Sequence, residues 1–395
     1  MPEQHSEVRT NEQVKNLIKK GVIISNPETV YIGEEVDINR ISGNGVVIYS
    51  GCKIFGSSTL ILRNSKIGFE GPVTVDNCFI GPEVDLKGGF FKQAVFLKKS
   101  SMGSGAHVRE GTILEEDAGG AHTVGLKQTI LFPFVTLGSL VNFCDCFMSG
   151  GTSRKDHSEV GSSYIHFNYT PNQDKATPSL IGDVPRGVML DQRPVFLGGQ
   201  GGLVGPCRLA FGTIIAAGSI CRKDEIRGNR LIITDAVKSG NIPFLPGRYQ
   251  NNKKILRNNI IYIANLIALR EWYLHLRSMF VSDDFPDALL SGLNENIGLA
   301  LDERLKRLKE VCLKIPESGL YTSWPAIKEI LDNEKYHKGD AGLRDNFLER
   351  IRSIILQTGK DYISVIKNLN ADDKAKGTTW LQGIVDNITL KINIT

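Results

Sequence analysis

The chain has 395 residues, 41% apolar and 23% charged, with a formal net charge of +4. That is the composition of an ordinary globular protein long enough for two domains, neither disordered nor collagenous. A small net charge, not gathered in one block, argues against nucleic acid or a charged membrane surface as partner.

The N-terminus, MPEQHSEVRTNEQVKNLIKKGV, has no apolar core segment, so a secretory leader is not expected. It does carry a short helical pattern over NEQVKNLIKK, which predicts a helical cap over residues 1–22. From residue 23 glycine becomes frequent: of 41 glycines, 31 precede residue 240, as expected of a backbone that turns sharply at short intervals. Within that stretch aliphatic residues recur every six positions. Ile48, Ile54 and Leu60 form one run, Met102, Val108 and Leu114 another, and Leu197, Leu203, Leu209, Ile215 and Cys221 a third. A small residue often follows the aliphatic one, as in Ile67-Gly68, Leu137-Gly138, Val160-Gly161 and Leu197-Gly198.

A period of six fits neither a helix nor a flat strand. It fits a hexapeptide repeat, in which each unit supplies one short strand and one corner, and three units close a triangular coil of a parallel β-helix. Residues 23–223 would then make on the order of 11 coils, a prism about 50 Å long at ~4.8 Å per coil. Residues 224–250, with Pro243, Pro246 and Gly247, read as a linker. Residues 251–395 read as a helical domain: Ile260, Ile263, Ile267 and Leu274 share a helical face, and DERLKRLKEVCLKI, LRDNFLERIRSIILQ and KDYISVIKNL are amphipathic. Trp272, Tyr273, Trp324 and Trp380 are expected in its core. This domain could pack along the prism, extend an interface between subunits, or bind an unknown partner. IIYIANLIAL is too short to span a membrane. Seven cysteines, an odd number without a CxxC pair, suggest reduced thiols in a cytoplasmic protein.

One stretch interrupts the count of six. Between Asn168 and Lys175 a polar insertion with Pro171, followed by Pro178, predicts an external loop, the place where solenoids often bind ligands. Around it the sequence resembles the C-terminal acetyltransferase domain of the bifunctional UDP-N-acetylglucosamine pyrophosphorylase/glucosamine-1-phosphate acetyltransferase family. The resemblance runs over about residues 137–224 and rests on Asn168-Tyr169 with Lys175, Ile181-Gly182-Asp183, Gly199, Leu203-Val204-Gly205-Pro206 and Thr213 to Gly218. It implies a left-handed β-helix that assembles as a homotrimer, taking acetyl-CoA as cosubstrate and an amino sugar phosphate or nucleotide-linked amino sugar in clefts between subunits. On that basis Asn168, Tyr169 and Lys175 are expected to bind the sugar substrate. Small residues Gly199, Ala216 and Ala217 would let the pantetheine arm approach, and Arg222 and Lys223 would meet the coenzyme's phosphates. No metal is expected.

The family's general base is a histidine, and at its ungapped position this chain has Asp145. His157 and His166 are the histidines near enough to substitute, and Asp145 itself would serve only if its proton affinity were raised toward neutrality. Three readings follow: a CoA-dependent acyltransferase, a nucleotide-sugar-binding or regulatory β-helix without the base, and a nucleotidyltransferase. The last belongs to a separate α/β domain, whose Gly-rich opening motif this chain lacks.

Overall fold

The computed structural model describes residues 12–234, 239–241, 243–245, 252–314 and 320–392. The predicted linker lies partly outside these residues, as does the start of the predicted cap. Strands are short and pair in parallel into three long sheets. Sheet A has 11 strands, from Ile23–Ile24 to Leu231–Ile232, sheet B has 10, and sheet C has eight, from Leu60–Ile61 to Arg208–Leu209. The chain visits A, B and C in turn, so the period of six is one side of a triangular coil and about 11 coils stack, as the periodicity predicted. The members of the third run, Leu197, Leu203, Leu209, Ile215 and Cys221, are all buried inside the prism.

Two backbone features build the corners. At each edge one residue per coil adopts left-handed φ: Thr123, Leu140, Ser163 and Gln200 between A and B; Asn77, Gln93, Gln128 and Asp145 between B and C; Asn64, Glu83, Lys99, Asp117 and Phe134 between C and A. Asparagine and aspartate tolerate that conformation best after glycine. The glycines that follow inward residues have a different reason. A Cβ at Gly161 would lie 2.4 Å from the Gly199 nitrogen, and one at Gly198 2.4 Å from the Ala217 nitrogen, so stacked coils approach too closely there for any side chain.

Helix α1 (Glu12–Lys20) packs on the first coils with Val14 and Leu17 buried. Helix α2 (Val184–Gly187) is a short turn held by Asp183 at its N-cap. The C-terminal region holds α3 (Asn252–Glu271), α4 (Asp287–Lys314), α5 (Leu320–Glu334), α6 (Ala341–Thr358), α7 (Tyr362–Lys367) and α8 (Ala371–Lys391). Of the three expectations for it, packing along the prism is what occurs. Helix α4 lies against the sheet C strands Phe79–Ile80, Ala94–Phe96 and Thr112–Leu114, while α3 meets Ser179–Ile181.

Sheet C differs accordingly from the other two. Its outward row Phe79, Val95, Ile113, Ile130, Phe147 and Leu180 is buried beneath the helices, at roughly 1.5–3 kcal/mol for each fully buried side chain. Trp272, Tyr273, Trp324 and Trp380 are core residues, as expected. Leu274 departs from the predicted face and is exposed, because Trp272–Leu276 forms a π turn that shifts the helical phase just before it. All seven cysteines are free thiols. Among the described residues no helix is long and apolar enough to cross a membrane.

Candidate functional site

The topology sorts the predicted site residues onto three different edges. Asp145, the Asn168–Lys175 loop, Arg222 and Lys223 all follow sheet B strands and lie on the edge between B and C. Gly199, Ala216 and Ala217 follow sheet A strands and line the edge between A and B. His157 lies on the third edge, in an antiparallel hairpin (Gly151–Ser153 with Asp156–His157) inserted between a sheet C and a sheet A strand. Within one chain these residues do not meet.

At the B–C edge the side chains are closely engaged. Asp145 sits at a left-handed corner and is buried. Its Oδ1 accepts from Arg304 Nη2 on α4 at 2.6 Å, and its Oδ2 accepts from Asn168 Nδ2 at 2.6 Å. Arg304 also donates to the Lys175 carbonyl at 3.4 Å, and Lys314 Nζ donates to the Asn172 and Gln173 carbonyls at 3.0 and 2.7 Å. Helix α4 therefore straps the loop that the sequence marked as external. Tyr169 remains exposed, with Lys175 Nζ 5.9 Å from its ring centre.

His166 lies inside this edge, where Nδ1 is 2.6 Å from the Cys144 carbonyl and Nε2 2.8 Å from Ser179 Oγ. With Nδ1 donating, Nε2 accepts from the Ser179 hydroxyl, and neither nitrogen is open to a reacting amine. Burial drives its pKa down to about 4, so the ring is neutral at physiological pH.

His157 is less enclosed. Its side chain is 21% exposed, Nε2 is 3.9 Å from Glu159 Oε2, and Nδ1 has no partner within the protein. The hairpin is held by Thr152 Oγ1 donating to Asp156 Oδ2 at 2.8 Å, and by Arg154 Nη1 donating to the Asp117 carbonyl at 2.8 Å.

The small residues present a solvent-facing corner. Ala217 and Gly218 are exposed, and a Cβ on Gly218 would meet nothing within 4 Å. Gly199 is required by its neighbours, since a Cβ there would lie 2.9 Å from the Ser162 carbonyl oxygen. Arg222 and Lys223 are exposed one strand further on, with the Arg222 carbonyl accepting from Lys254 Nζ at 3.0 Å. Among the described residues no cluster of His, Cys, Asp and Glu could hold a metal ion.

Sequence reasoning missed Arg304 and Lys314, because nothing in the pattern of α4 shows which coil they face. The outward apolar row of sheet C was the available signal for a docked helical layer.

Comparison with known proteins agrees with the resemblance. The chain is 29% identical over 213 residues to "Bifunctional protein GlmU" of Thermotoga maritima, 54% of this chain and 42% of that one. It is 28% identical over 211 residues to the protein of the same name in Fervidobacterium nodosum, covering 53% and 41% of the two chains. With that of Trichlorobacter lovleyi it shares 26% over 209 residues, 53% and 40%. The matched stretches span less than half the length of these relatives. No family model matches the chain. The similarity and the parallel β-solenoid together fit a hexapeptide-repeat protein.

Proposed function

We propose that this chain is a CoA-dependent acyltransferase-like protein of nucleotide-sugar metabolism, acting as a homotrimer on an amino sugar phosphate or nucleotide-linked amino sugar with acetyl-CoA as cosubstrate. One observation carries the reading. The less enclosed of the two candidate histidines and the substrate-type loop lie on different edges of the prism, so only a neighbouring subunit can bring His157 to the Asn168–Lys175 edge. A row of exposed apolar residues in register on sheet A, Phe196, Ile214 and Leu231, supports such a neighbour.

In this reading His157 takes the proton from the attacking amine through Nε2, on a partly exposed side chain, since its Nδ1 is buried and Asp145 and His166 do not offer a free site. Acetyl-CoA supplies the activated acyl carbon. The corner of Ala216 and Ala217 admits the pantetheine arm, Arg222 and Lys223 meet its phosphates, and Lys175 pairs with the substrate phosphate. Backbone N–H groups at the corners would steady the oxyanion.

The second reading, a nucleotide-sugar binder without the base, is favoured by Asp145. Where the family has its histidine, this chain has a carboxylate tied to Arg304 and Asn168. Purified protein incubated with acetyl-CoA and a panel of amino sugar phosphates and nucleotide amino sugars separates the two. The acyltransferase reading expects release of free CoA, lowered by about 100-fold or more in His157→Ala, with Lys175→Ala mainly raising KM. Absence of turnover, with calorimetric binding of a nucleotide sugar that Lys175→Ala removes, selects the binder. A stable monomer by light scattering would overturn the shared site in both.

A further inference from the structure

One residue breaks the apolar outward row of sheet C. Leu180 pairs in register with Arg208 on the last strand, so the position that is apolar and buried from Phe79 to Leu180 carries a cation in the final coil. It does so where the helical cover ends. Arg208 lines a pocket of about 170 Å³, shared with Ile261 and Asn265 of α3 and Gln382 and Val385 of α8. That is below the roughly 300–1,000 Å³ of drug-sized sites and suits a ligand of a few heavy atoms.

The cation has no counter-ion of its own. Among the described residues nothing accepts a hydrogen bond from its guanidinium, and only its backbone N–H is engaged, by Asp224 Oδ1 at 3.1 Å. The acids that act on it are committed elsewhere. Asp183 is held by the Arg186 N–H and guanidinium at the start of α2, and Asp224 accepts from Asn258 Nδ2 at 3.0 Å and lies 3.5 Å from Lys254 Nζ. Burial holds the Arg208 pKa below its ordinary value; Asp224 offsets this and Arg257 adds to it. The guanidinium nitrogens are not sealed away, as the idle ones of Arg277 and Arg304 are, so a ligand in the pocket reaches them.

The lining sets the ligand's charge. Arg186 and Asp183 cancel each other, which leaves the charge of Arg208 uncompensated among the lining residues. Asn265 brings no free acceptor, since its Oδ1 takes the Val184 N–H at 2.9 Å. Gln382 Nε2 gives one N–H to Asp386 Oδ1 at 2.8 Å and keeps a second. A partly desolvated cation beside a spare donor favours an anion, and the planar guanidinium fork matches two oxygens of a carboxylate or phosphate. We propose that this pocket binds a small oxyanion, a phosphate or a short carboxylate, on Arg208, and that the anion ties the last coil to α3 and α8. The site is separate from the residues assigned to acyl transfer, because Arg222 and Lys223 do not line it.

Calorimetry on the full chain, with inorganic phosphate and acetate as probes and chloride at matched ionic strength as control, tests this without acetyl-CoA. One saturable site per chain is expected for at least one probe, and the probe that binds tells a phosphoryl from a carboxyl ligand. Arg208→Met should weaken that site about tenfold or more, the loss of a charge-assisted hydrogen bond. Ile226→Glu, at an exposed position on the rim, should weaken it likewise by supplying the missing carboxylate from the chain itself, so the test survives if Arg208→Met does not fold. No saturable site, equal binding of chloride, or binding unchanged in either variant overturns the proposal. The last outcome would move the anion to other cations, such as Arg222 and Lys223.

Discussion

The helical region grips sheet C at both edges with a buried arginine, and the two grips differ. At the B–C edge Arg304 meets Asp145, whose two oxygens are both taken, and only Arg304 Nε is left without a partner. At the C–A edge Arg277 meets Glu116, but two donors and one acceptor are idle beside a cavity. The same chemistry thus makes a closed strap in one place and an incomplete one in the other. The difference is supply: on the B–C edge the inserted loop brings Asn168 and free carbonyls to the arginine, whereas on the C–A edge the inserted hairpin is anchored on the Asp117 carbonyl and leaves Glu116 Oε2 without a partner.

Removing both grips at once should have the largest effect. A chain ending at residue 240 would uncover the row Phe79, Val95, Ile113, Ile130, Phe147 and Leu180, so it is expected to aggregate or to bind a hydrophobic dye strongly. A soluble monomeric fragment with the strand content of the full chain would show that the prism does not need its cover. Next in size, Arg304→Ala leaves Asp145 buried without its cation and should cost about 3–5 kcal/mol in chemical denaturation. Asp145→Asn with Arg304→Met should recover much of that loss, and a double-mutant cycle reads the coupling.

A smaller, pH-dependent effect separates the edges. Glu115, behind the cavity, is pushed up from 4.5 to about 8, first by burial and then by Glu116. A carboxyl raised in the folded state favours folding below its unfolded value, and that advantage is lost as pH rises from about 4.5 to 8. His166 works in the opposite sense. Lowered from 6.5 to about 4 by burial, it contributes stability above pH 6.5 that is lost as pH falls toward 4. Thermal melts across pH 4–9 should therefore lose the decline between about pH 6.5 and 8 in Glu115→Gln, and in His166→Gln should show a new fall between about pH 4.5 and 6.5, where the two groups otherwise oppose each other. If each variant merely lowers Tm equally at every pH, the two groups are not the source of the dependence.

Much of this was legible in the residues. The runs through Leu197 and Met102 predicted the coil, its length and its inward face, because each side turns the same position of its six inward to stack on the coils above and below. The loop at Asn168 was legible as a break in the count. Its partner was not, since α4 reaches it from more than 120 positions away, as in the bond from Arg304 to the Lys175 carbonyl. The apolar strands FI, AVF, IL and CFM of sheet C, against KI, DL and SM of sheet A, did carry the sign of a covered face, because a strand buried on both sides loses its alternation.

The sequence by itself determined the repeat, the order of the corners and the change from strand to helix, all properties set within a coil or a helical turn. What only the tertiary structure decided is the fate of the charged groups. Asp145 stands where a base was expected, and its carboxylate is held by Arg304 opposite it. His166 is neutral because sheet and helices exclude water from it. Glu116 is left half-paired because the hairpin on its edge is anchored on Asp117 instead. Burial and pairing depend on contacts far apart in the chain, and periodicity carries no information about them.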